Sequence, residues 1–542
     1  MSLGYSKARP AARRRKNVLI VMADEQSWST LGHTGNQAAR TPHLDALAAR
    51  GASFEYCYTP YPLCCPARAS LWTGMLPHQH QVTGNWHHIR PDLRDGAPNS
   101  NASVGSRGGN ESGGLVQAFV DAGYHTLYTG KWHVPGTTPA RLGFADSAAI
   151  PAVVNGRDRG RYIEPYREYA EAQGYRLVPG NIENLTERDV AQLRQPGKAP
   201  CGTSEIALEH FLETWQTGQL LERLDARPQD QPFFGVCSFN APHFPMIVPA
   251  PYDTLIDPAS VTLPVSLRTG LAGKPREVAG SHFAHLAGEI DESEWRRLIA
   301  HYLGLCALVD AQVGRIVEYL TARGLLDETV IVFTADHGDM MGAHGLFEKG
   351  YPLHYEEALR VPLIVADPDY REPVRPRGLV SLMDVVPTVA ELAGVPLASN
   401  PERQSVSLVP ALEGNGDAAL RPYVLAETFA FSGKESGAGA YVAMDRFAEL
   451  GGSANLSIRT PDARYVFRWN DEDEYFDLAA DPHEITNLAA SPAHGERVRA
   501  LRSLLVEEVE STDARFAAAV RQRMDAKADG TVALGATVVA RG

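Results

Sequence analysis

The sequence predicts an α/β fold in which a large, mixed and mostly parallel sheet is sandwiched by helices. A smaller C-terminal α+β domain with an antiparallel sheet is expected to follow. The chain has 542 residues, more than a single hydrophobic core usually holds. Short apolar runs alternate with helical patterns over roughly the first 400 residues, which is typical of a parallel sheet with helical crossovers. Near residue 415 the runs become shorter, which favours antiparallel pairing.

Each predicted strand of the large sheet is a short apolar run without helical periodicity, as expected for strands buried on both faces. These runs lie at 17–23, 125–130, 233–240, 329–335 and 361–366. Helical patterns lie at 43–51, around 294–324 and at 380–394.

Two segments interrupt this alternation. Residues 94–114 are rich in Gly, Ser and Asn, which predicts a surface loop. Residues 136–205 lack clear strand periodicity and are interpreted as an insertion over one face of the sheet. We therefore predict a first domain at 1–415 and a second at 416–542, whose small sheet is closed by a helix at roughly 493–524.

Composition excludes several classes of partner. The formal net charge of -14 argues against nucleic acid or an anionic membrane as the main partner, although a local pocket can still be basic. The spacing of the six cysteines fits no disulfide framework, and all but Cys64 are predicted to be reduced, mostly buried thiols. No apolar run is long enough to span a membrane, and the run after the basic N-terminus is too short for an export signal. A cytoplasmic location is therefore expected, with export as the alternative if an N-terminal signal was trimmed.

Polar side chains recur at the carboxyl ends of four predicted strands. The carboxyl ends of parallel strands share one edge of a sheet, where ligands bind in open α/β folds. One such residue is usually a turn or a helix cap, whereas four sets suggest a site for a metal and an anion. The residues are Asp24 and Glu25, Lys131 and His133, Asn240 and His243, and Asp336 and His337.

A fifth element is predicted at residues 62–74, where a helix begins near Pro66. Cys64 then lies at the helix N-terminus, whose free N–H groups and dipole favour negative charge. Arg68 lies one turn further on and can face the same pocket. The neighbouring Cys65 is interpreted as a packed thiol.

Taken together, these motifs resemble the formylglycine-dependent sulfatases of the alkaline phosphatase superfamily, a group that includes arylsulfatases and phosphonate monoester hydrolases. Residues 64–68 fit the family signature C-x-P-x-R, followed by Leu71-x-Thr73-Gly74. The resemblance covers most of the chain and extends over segments 41–51, 130–134, 240–243, 334–350 and 476–489. It makes 1–415 the catalytic domain and implies an alkaline phosphatase-like sheet.

The resemblance implies covalent catalysis by an aldehyde. In the family, the signature cysteine is oxidised to formylglycine, here at Cys64, and its hydrate attacks the ester and then expels sulfate. Asp24, Glu25, Asp336 and His337, with residue 64, are implied to surround one divalent cation. Calcium suits the carboxylates. Glu25 and His337 replace the more frequent Asp and Asn, and the imidazole makes manganese an alternative.

The remaining roles are also carried over from the family. Lys131 and Lys349 would bind the substrate anion, and Arg68 would hold the formylglycine. His133 would orient or deprotonate the hydrate, and His243 would protonate the leaving oxygen. Asn85 and Asn240 are expected to line the substrate pocket.

Three functions follow from this resemblance. The first is hydrolysis of a small-molecule sulfate ester, and the second is hydrolysis of phosphonate monoesters or phosphodiesters at the same site. The third, binding of an anionic partner without turnover, requires a broken site, whereas every expected position carries a competent group. The family also implies maturation by a formylglycine-generating enzyme and a homo-oligomer.

Overall fold

A computed structural model describes residues 15–85, 114–150, 164–178, 185–193, 195, 198–288, 290–413, 420–431, 444, 447 and 451–531. The loop predicted at 94–114 lies outside these residues except for Gly114.

The strands fall into a large sheet, a C-terminal sheet and two small sheets. In chain order they are β1 (Asn17–Ala23), β2 (Ala52–Ser53), β3 (Tyr56–Tyr58), β4 (His125–Lys131), β5 (Asp146–Ile150), β6 (Cys201–Thr203), β7 (Phe233–Ser238), β8 (Met246–Val248), β9 (Thr329–Ala335), β10 (Arg360–Val361), β11 (Leu363–Ala366), β12 (Leu379–Ser381), β13 (Val424–Phe431), β14 (Gly452–Thr460), β15 (Ala463–Phe467) and β16 (Glu474–Asp477).

The helices range from single turns to one of 31 residues. They are α1 (Pro42–Ala48), α2 (Cys64–Thr73), α3 (Pro77–His80), α4 (Leu115–Asp121), α5 (Pro139–Leu142), α6 (Glu164–Ala172), α7 (Glu187–Leu193), α8 (Leu212–Ala226), α9 (Arg276–Ala279), α10 (His282–Gly288), α11 (Glu292–Ala322), α12 (Glu356–Leu359), α13 (Val385–Leu392), α14 (Val409–Leu412), α15 (Gly495–Thr512) and α16 (Ala514–Ala528).

The large sheet confirms the predicted fold class. Its seven strands run in the order β2-β11-β9-β1-β7-β4-β5. The pairings from β9 to β5 are parallel, while β11 is antiparallel to both of its neighbours. Every residue of β1, β7 and β9 is buried. Buried parallel strands read as continuous apolar runs, which is why the sequence identifies them.

The C-terminal sheet is antiparallel, with the order β13-β14-β15-β16. Its apolar face packs against α15 and α16, whose buried residues include Leu505, Val509 and Phe516. The single helix expected at 493–524 is two helices, because Asp513 has extended backbone and its carboxylate accepts the amides of Arg515 and Phe516, which begins a new helix.

Residues 136–205 are not only an insertion. They contain β5, which pairs in parallel with β4 at the edge of the large sheet. The sequence of β5, DSAAI, is short and contains one β-branched residue, so its strand signal is weak. The predicted strand 361–366 is also divided, since β10 pairs with β3 whereas β11 pairs with β9.

All six cysteines lie in the described part of the chain, and each is buried and forms no disulfide, as predicted for the five other than Cys64. Among the described residues, no helix combines the length and apolar character needed to cross a bilayer.

Candidate active site

Two carboxylates meet where neighbouring strands of the large sheet end. The last residues of β1 and β9 are paired, so Asp24 and Asp336 follow them side by side. Both are fully buried, and Arg68 bridges them, with Nη2 2.8 Å from Asp24 Oδ2 and Nε 2.8 Å from Asp336 Oδ2. Arg68 also donates to the carbonyl of Lys131 and to Ser238 Oγ.

Cys64 is the first residue of α2, and its thiol faces these carboxylates. The Sγ atom lies 3.1 Å from His337 Nε2 and 3.6 Å from Asp24 Oδ1. Lys131, the last residue of β4, places Nζ 3.8 Å from the sulfur and 2.5 Å from Asp24 Oδ2. The predicted nucleophile therefore lies at a helix N-terminus beside two cationic side chains, Lys131 and Arg68.

Four candidate ligands form one compact group. Ligand atoms of Asp24, Cys64, Asp336 and His337 all lie within 4.8 Å of one another, and all four residues are buried. His337 Nδ1 bonds to the carbonyl of Gly338 at 2.9 Å, which leaves Nε2 directed at the group. Two buried carboxylates, an imidazole and residue 64 form a donor set that suits a divalent cation.

The pKa values reflect this concentration of charge. Burial alone would raise the pKa of the Cys64 thiol, but the charges of Lys131 and His337 hold it well below its usual value. Burial also opposes ionisation of Asp24, yet Lys131 and Arg68 lower its pKa to about 2. Burial and the neighbouring charge of Asp24 raise the pKa of Asp336. A cation between the two carboxylates would relieve that repulsion.

Glu25 lies outside the group of four. Its Oε2 is 2.5 Å from Lys349 Nζ and 3.6 Å from His243 Nε2. With Asp24 and His243, Glu25 forms a second group of candidate ligands, which shares Asp24 with the first. Lys349 Nζ lies 3.1 Å from His243 Nε2. The predicted anion-binding lysine and the predicted general acid are therefore held together by one carboxylate.

The other predicted residues lie around this core. His133 is buried, and burial lowers the pKa of its imidazole, while its hydrogen bond to Cys64 opposes the shift. Asn85 accepts the amide of Cys65 at 3.3 Å, at the start of α2. Asn240 follows β7, and its carbonyl accepts the amide of His243 at 3.0 Å. Whether either asparagine contacts substrate stays a prediction.

Sequence reasoning missed Asp339. This buried acid accepts the amides of Met341 and Glu348 and so shapes the loop that ends at Lys349. Burial and the charge of Glu25 raise its pKa well above the usual range. Its position three residues after Asp336 in the same polar run was the available signal.

Comparison with known proteins identifies the family. The Sulfatase family model matches residues 16–395, and a model described as N-sulphoglucosamine sulphohydrolase, C-terminal, matches residues 342–511. The chain belongs to the sulfatase family. The resemblance expected from the motifs is thereby confirmed, and the chain is by class a sulfuric ester hydrolase.

Similar proteins span nearly the whole chain. An arylsulfatase of Clostridium perfringens (strain 13 / Type A) is 28% identical over 520 residues, covering 92% of this chain and 95% of the relative. A choline-sulfatase of Rhizobium meliloti (strain 1021) is 29% identical over 484 residues, covering 88% and 83% respectively. The crystal structure of a phosphonate monoester hydrolase of Agrobacterium radiobacter superposes with a TM-score of 0.69 at 23% identity, covering 93% of this chain and 96% of that one, which shows a shared fold.

Proposed function

We propose that this sulfatase hydrolyses sulfate esters of small molecules with residue 64 as its nucleophile, after conversion of Cys64 to formylglycine. The observation that carries the proposal is the position of the Cys64 sulfur. It lies at a helix N-terminus, within 4 Å of a lysine, a carboxylate and an imidazole. These surroundings favour negative charge on the atom attached to Cβ, which in formylglycine hydrate is oxygen instead of sulfur.

Formylglycine supplies a hydrated aldehyde, of which one hydroxyl attacks sulfur while the other allows sulfate to be released by elimination. The side chains around it position and neutralise charge. Lys131 and Lys349, which are 11% and 6% exposed, would bind the sulfuryl oxygens. Arg68 holds the two carboxylates in place and offsets part of their charge.

Two histidines are suited to proton transfer. His133 shares a hydrogen bond with Cys64, and burial favours its neutral form, so it can accept a proton from the hydrate. His243 is 14% exposed, so its ring can reach the ester oxygen of a bound substrate and protonate the leaving alcohol. Lys349 Nζ now faces His243 Nε2, and we expect substrate to draw the ammonium towards the sulfate.

We further propose that Asp24, Asp336, His337 and residue 64 hold one divalent cation, with calcium favoured by the carboxylates and manganese possible because of the imidazole. When bound, the cation would lower the pKa of the nucleophile and neutralise the ester oxygens. Glu25 was predicted as a further ligand. Because its carboxylate pairs with Lys349, we assign it the role of positioning Lys349 and His243 instead.

The second candidate function is hydrolysis of phosphonate monoesters or phosphodiesters. The observation that favours it is the place of His337 in the group of four, since an Asp-His metal pair is frequent in those relatives. Maturation by a formylglycine-generating enzyme and assembly into a homo-oligomer are also proposals that rest on the family.

The proposal is tested with one leaving group on three substrates: an aryl sulfate, the matched aryl phosphonate and the matched phosphodiester. We expect kcat/KM to be largest for the sulfate, and the Cys64→Ala variant to serve as the blank. Larger kcat/KM values for the phosphonate and the phosphodiester would instead support the second candidate function. Peptide mass spectrometry of residues 59–90 would show whether Cys64 carries the aldehyde.

A further inference from the structure

A separate group of metal-binding side chains lies where the loop after β9 meets the segment that follows the C-terminal sheet. His344 belongs to the 3-10 helix Ala343–Gly345, Glu357 to α12, and Glu484 to the segment after β16. One ligand atom from each lies within 4.8 Å of the other two, and the group shares no residue with the one beside Cys64. The proposed sulfatase mechanism uses none of the three.

The side chain of His344 gives the strongest indication of a bound ion. Its ring is fully buried, and neither ring nitrogen has a hydrogen-bond partner among the residues that the structure describes. Nε2 lies 3.7 Å from Oε2 of Glu357, which is too long for a hydrogen bond. Because buried polar atoms are almost always paired, an imidazole aimed at a carboxylate across this gap suggests a ligand between them.

Glu357 also has a buried polar atom without a hydrogen-bond partner among the described residues. This atom is Oε2, the same oxygen that lies 3.7 Å from His344 Nε2. A divalent ion between the two side chains would give Glu357 Oε2 and His344 Nε2 the partner that each of them lacks among the described residues.

Glu484 is held in place by neighbours that leave acceptor sites open. Arg464 donates to its Oε1, and the amide of Glu356 donates to Oε2 at 2.9 Å. Each carboxylate oxygen has two lone pairs, so one further bond to either oxygen is possible. The nearby Lys274 donates to the carbonyl of Glu484 at 3.1 Å and lies 4.1 Å from the ring centroid of Tyr355. Its ammonium thus makes its hydrogen bond to this carbonyl, while its charge also acts on the carboxylates of Glu484 and Glu357.

We propose that His344, Glu357 and Glu484 form a structural site for a divalent transition ion such as zinc. One imidazole nitrogen and two carboxylates are a zinc-type donor set, and water would complete the shell. The side chain of Glu357 is 26% exposed, which leaves a route for the ion. The ion would tie the loop that carries Lys349 and helix α12 to the segment after β16.

A zinc-soaked crystal of the full chain, measured at the zinc absorption edge, tests the site directly. The expected result is an anomalous peak between the three side chains. A second peak beside Cys64 would show zinc at the proposed catalytic metal site and would not change the result at His344. A crystal that holds zinc elsewhere but shows no peak at His344 overturns the proposal.

Zinc binding in solution provides the matched test. The folded protein, first stripped with a chelator, is titrated with zinc alone. We expect Glu357→Gln and His344→Gln to bind one equivalent less than the unaltered chain. His483→Gln changes an exposed histidine next to Glu484 and should bind the full amount. Equal binding by all four proteins would refute the site. If a variant fails to fold, as judged by circular dichroism, the diffraction result decides.

Discussion

Arg68→Met tests the electrostatic core of the site while leaving the proposed nucleophile in place. The change keeps an unbranched side chain of similar length but deletes a fully buried guanidinium with two ion pairs at 2.8 Å. Removing one partner of a buried ion pair typically costs about 3–5 kcal/mol, because the remaining charge is buried and uncompensated. Asp24 keeps Lys131 at 2.5 Å, so Asp336 bears most of this loss.

The loss of folding stability in Arg68→Met should depend on pH. Burial and Asp24 already raise the pKa of Asp336 above its value in the unfolded chain, and losing Arg68 raises it further. A carboxyl with a raised folded pKa binds more protons when folded, so the folded state gains stability as pH falls through that pKa. The deficit of the variant should therefore be largest near neutral pH and smaller in mild acid.

Urea unfolding in the presence of a chelator measures both effects, at about pH 7.5 and about pH 5.5. The matched control is Arg521→Met, which removes an exposed ion pair with Glu510 and should leave the midpoint unchanged at both pH values. A deficit under about 1 kcal/mol, or one that does not shrink in acid, would refute the assignment of Arg68 as the cation that balances Asp336.

Three further predictions concern chemistry. Cys64→Ala should abolish turnover of an aryl sulfate while circular dichroism stays unchanged, and wild-type-like turnover would refute the nucleophile. His243→Ala should lose about 10²–10⁴-fold more activity on alkyl sulfates than on activated aryl sulfates, and equal losses would argue against a general acid. Glu25→Gln should keep its bound cation by elemental analysis yet raise KM for the sulfate, whereas Asp336→Asn should lose the cation. Loss of metal from both variants would restore Glu25 to the ligand set.

The sequence predicted the fully buried strands more accurately than the strand at the edge of the sheet. The bounds of β1 and β9 agree with the predicted strands because both are apolar along their whole length. In contrast, β5 lies at the sheet edge and its short, alanine-containing sequence resembles a loop. The break between α15 and α16 depends on a single cap at Asp513, which a periodicity argument over a long window does not resolve.

The candidate site was predictable where it depends on topology. Asp24 and Asp336 meet because paired strands end together, and this follows from a parallel sheet. The pairing of Glu25 with Lys349 was not predictable. Glu25 adopts a positive φ of 67°, and the partner that its side chain meets is brought by a loop more than 300 residues later in the chain. Contacts of this kind depend on tertiary packing rather than on local pattern.

The burial of Cys64 sets the order of events during synthesis under the proposed function. Cys64 is 1% exposed and its sulfur lies among Asp24, Lys131 and His337, so an external oxidising enzyme cannot reach it in the folded chain. Oxidation therefore competes with folding for each new chain. The active fraction of a preparation is fixed when the chain folds, and adding maturation enzyme to folded protein should not raise it. Slower expression, or co-expression with that enzyme, should increase the activity per milligram.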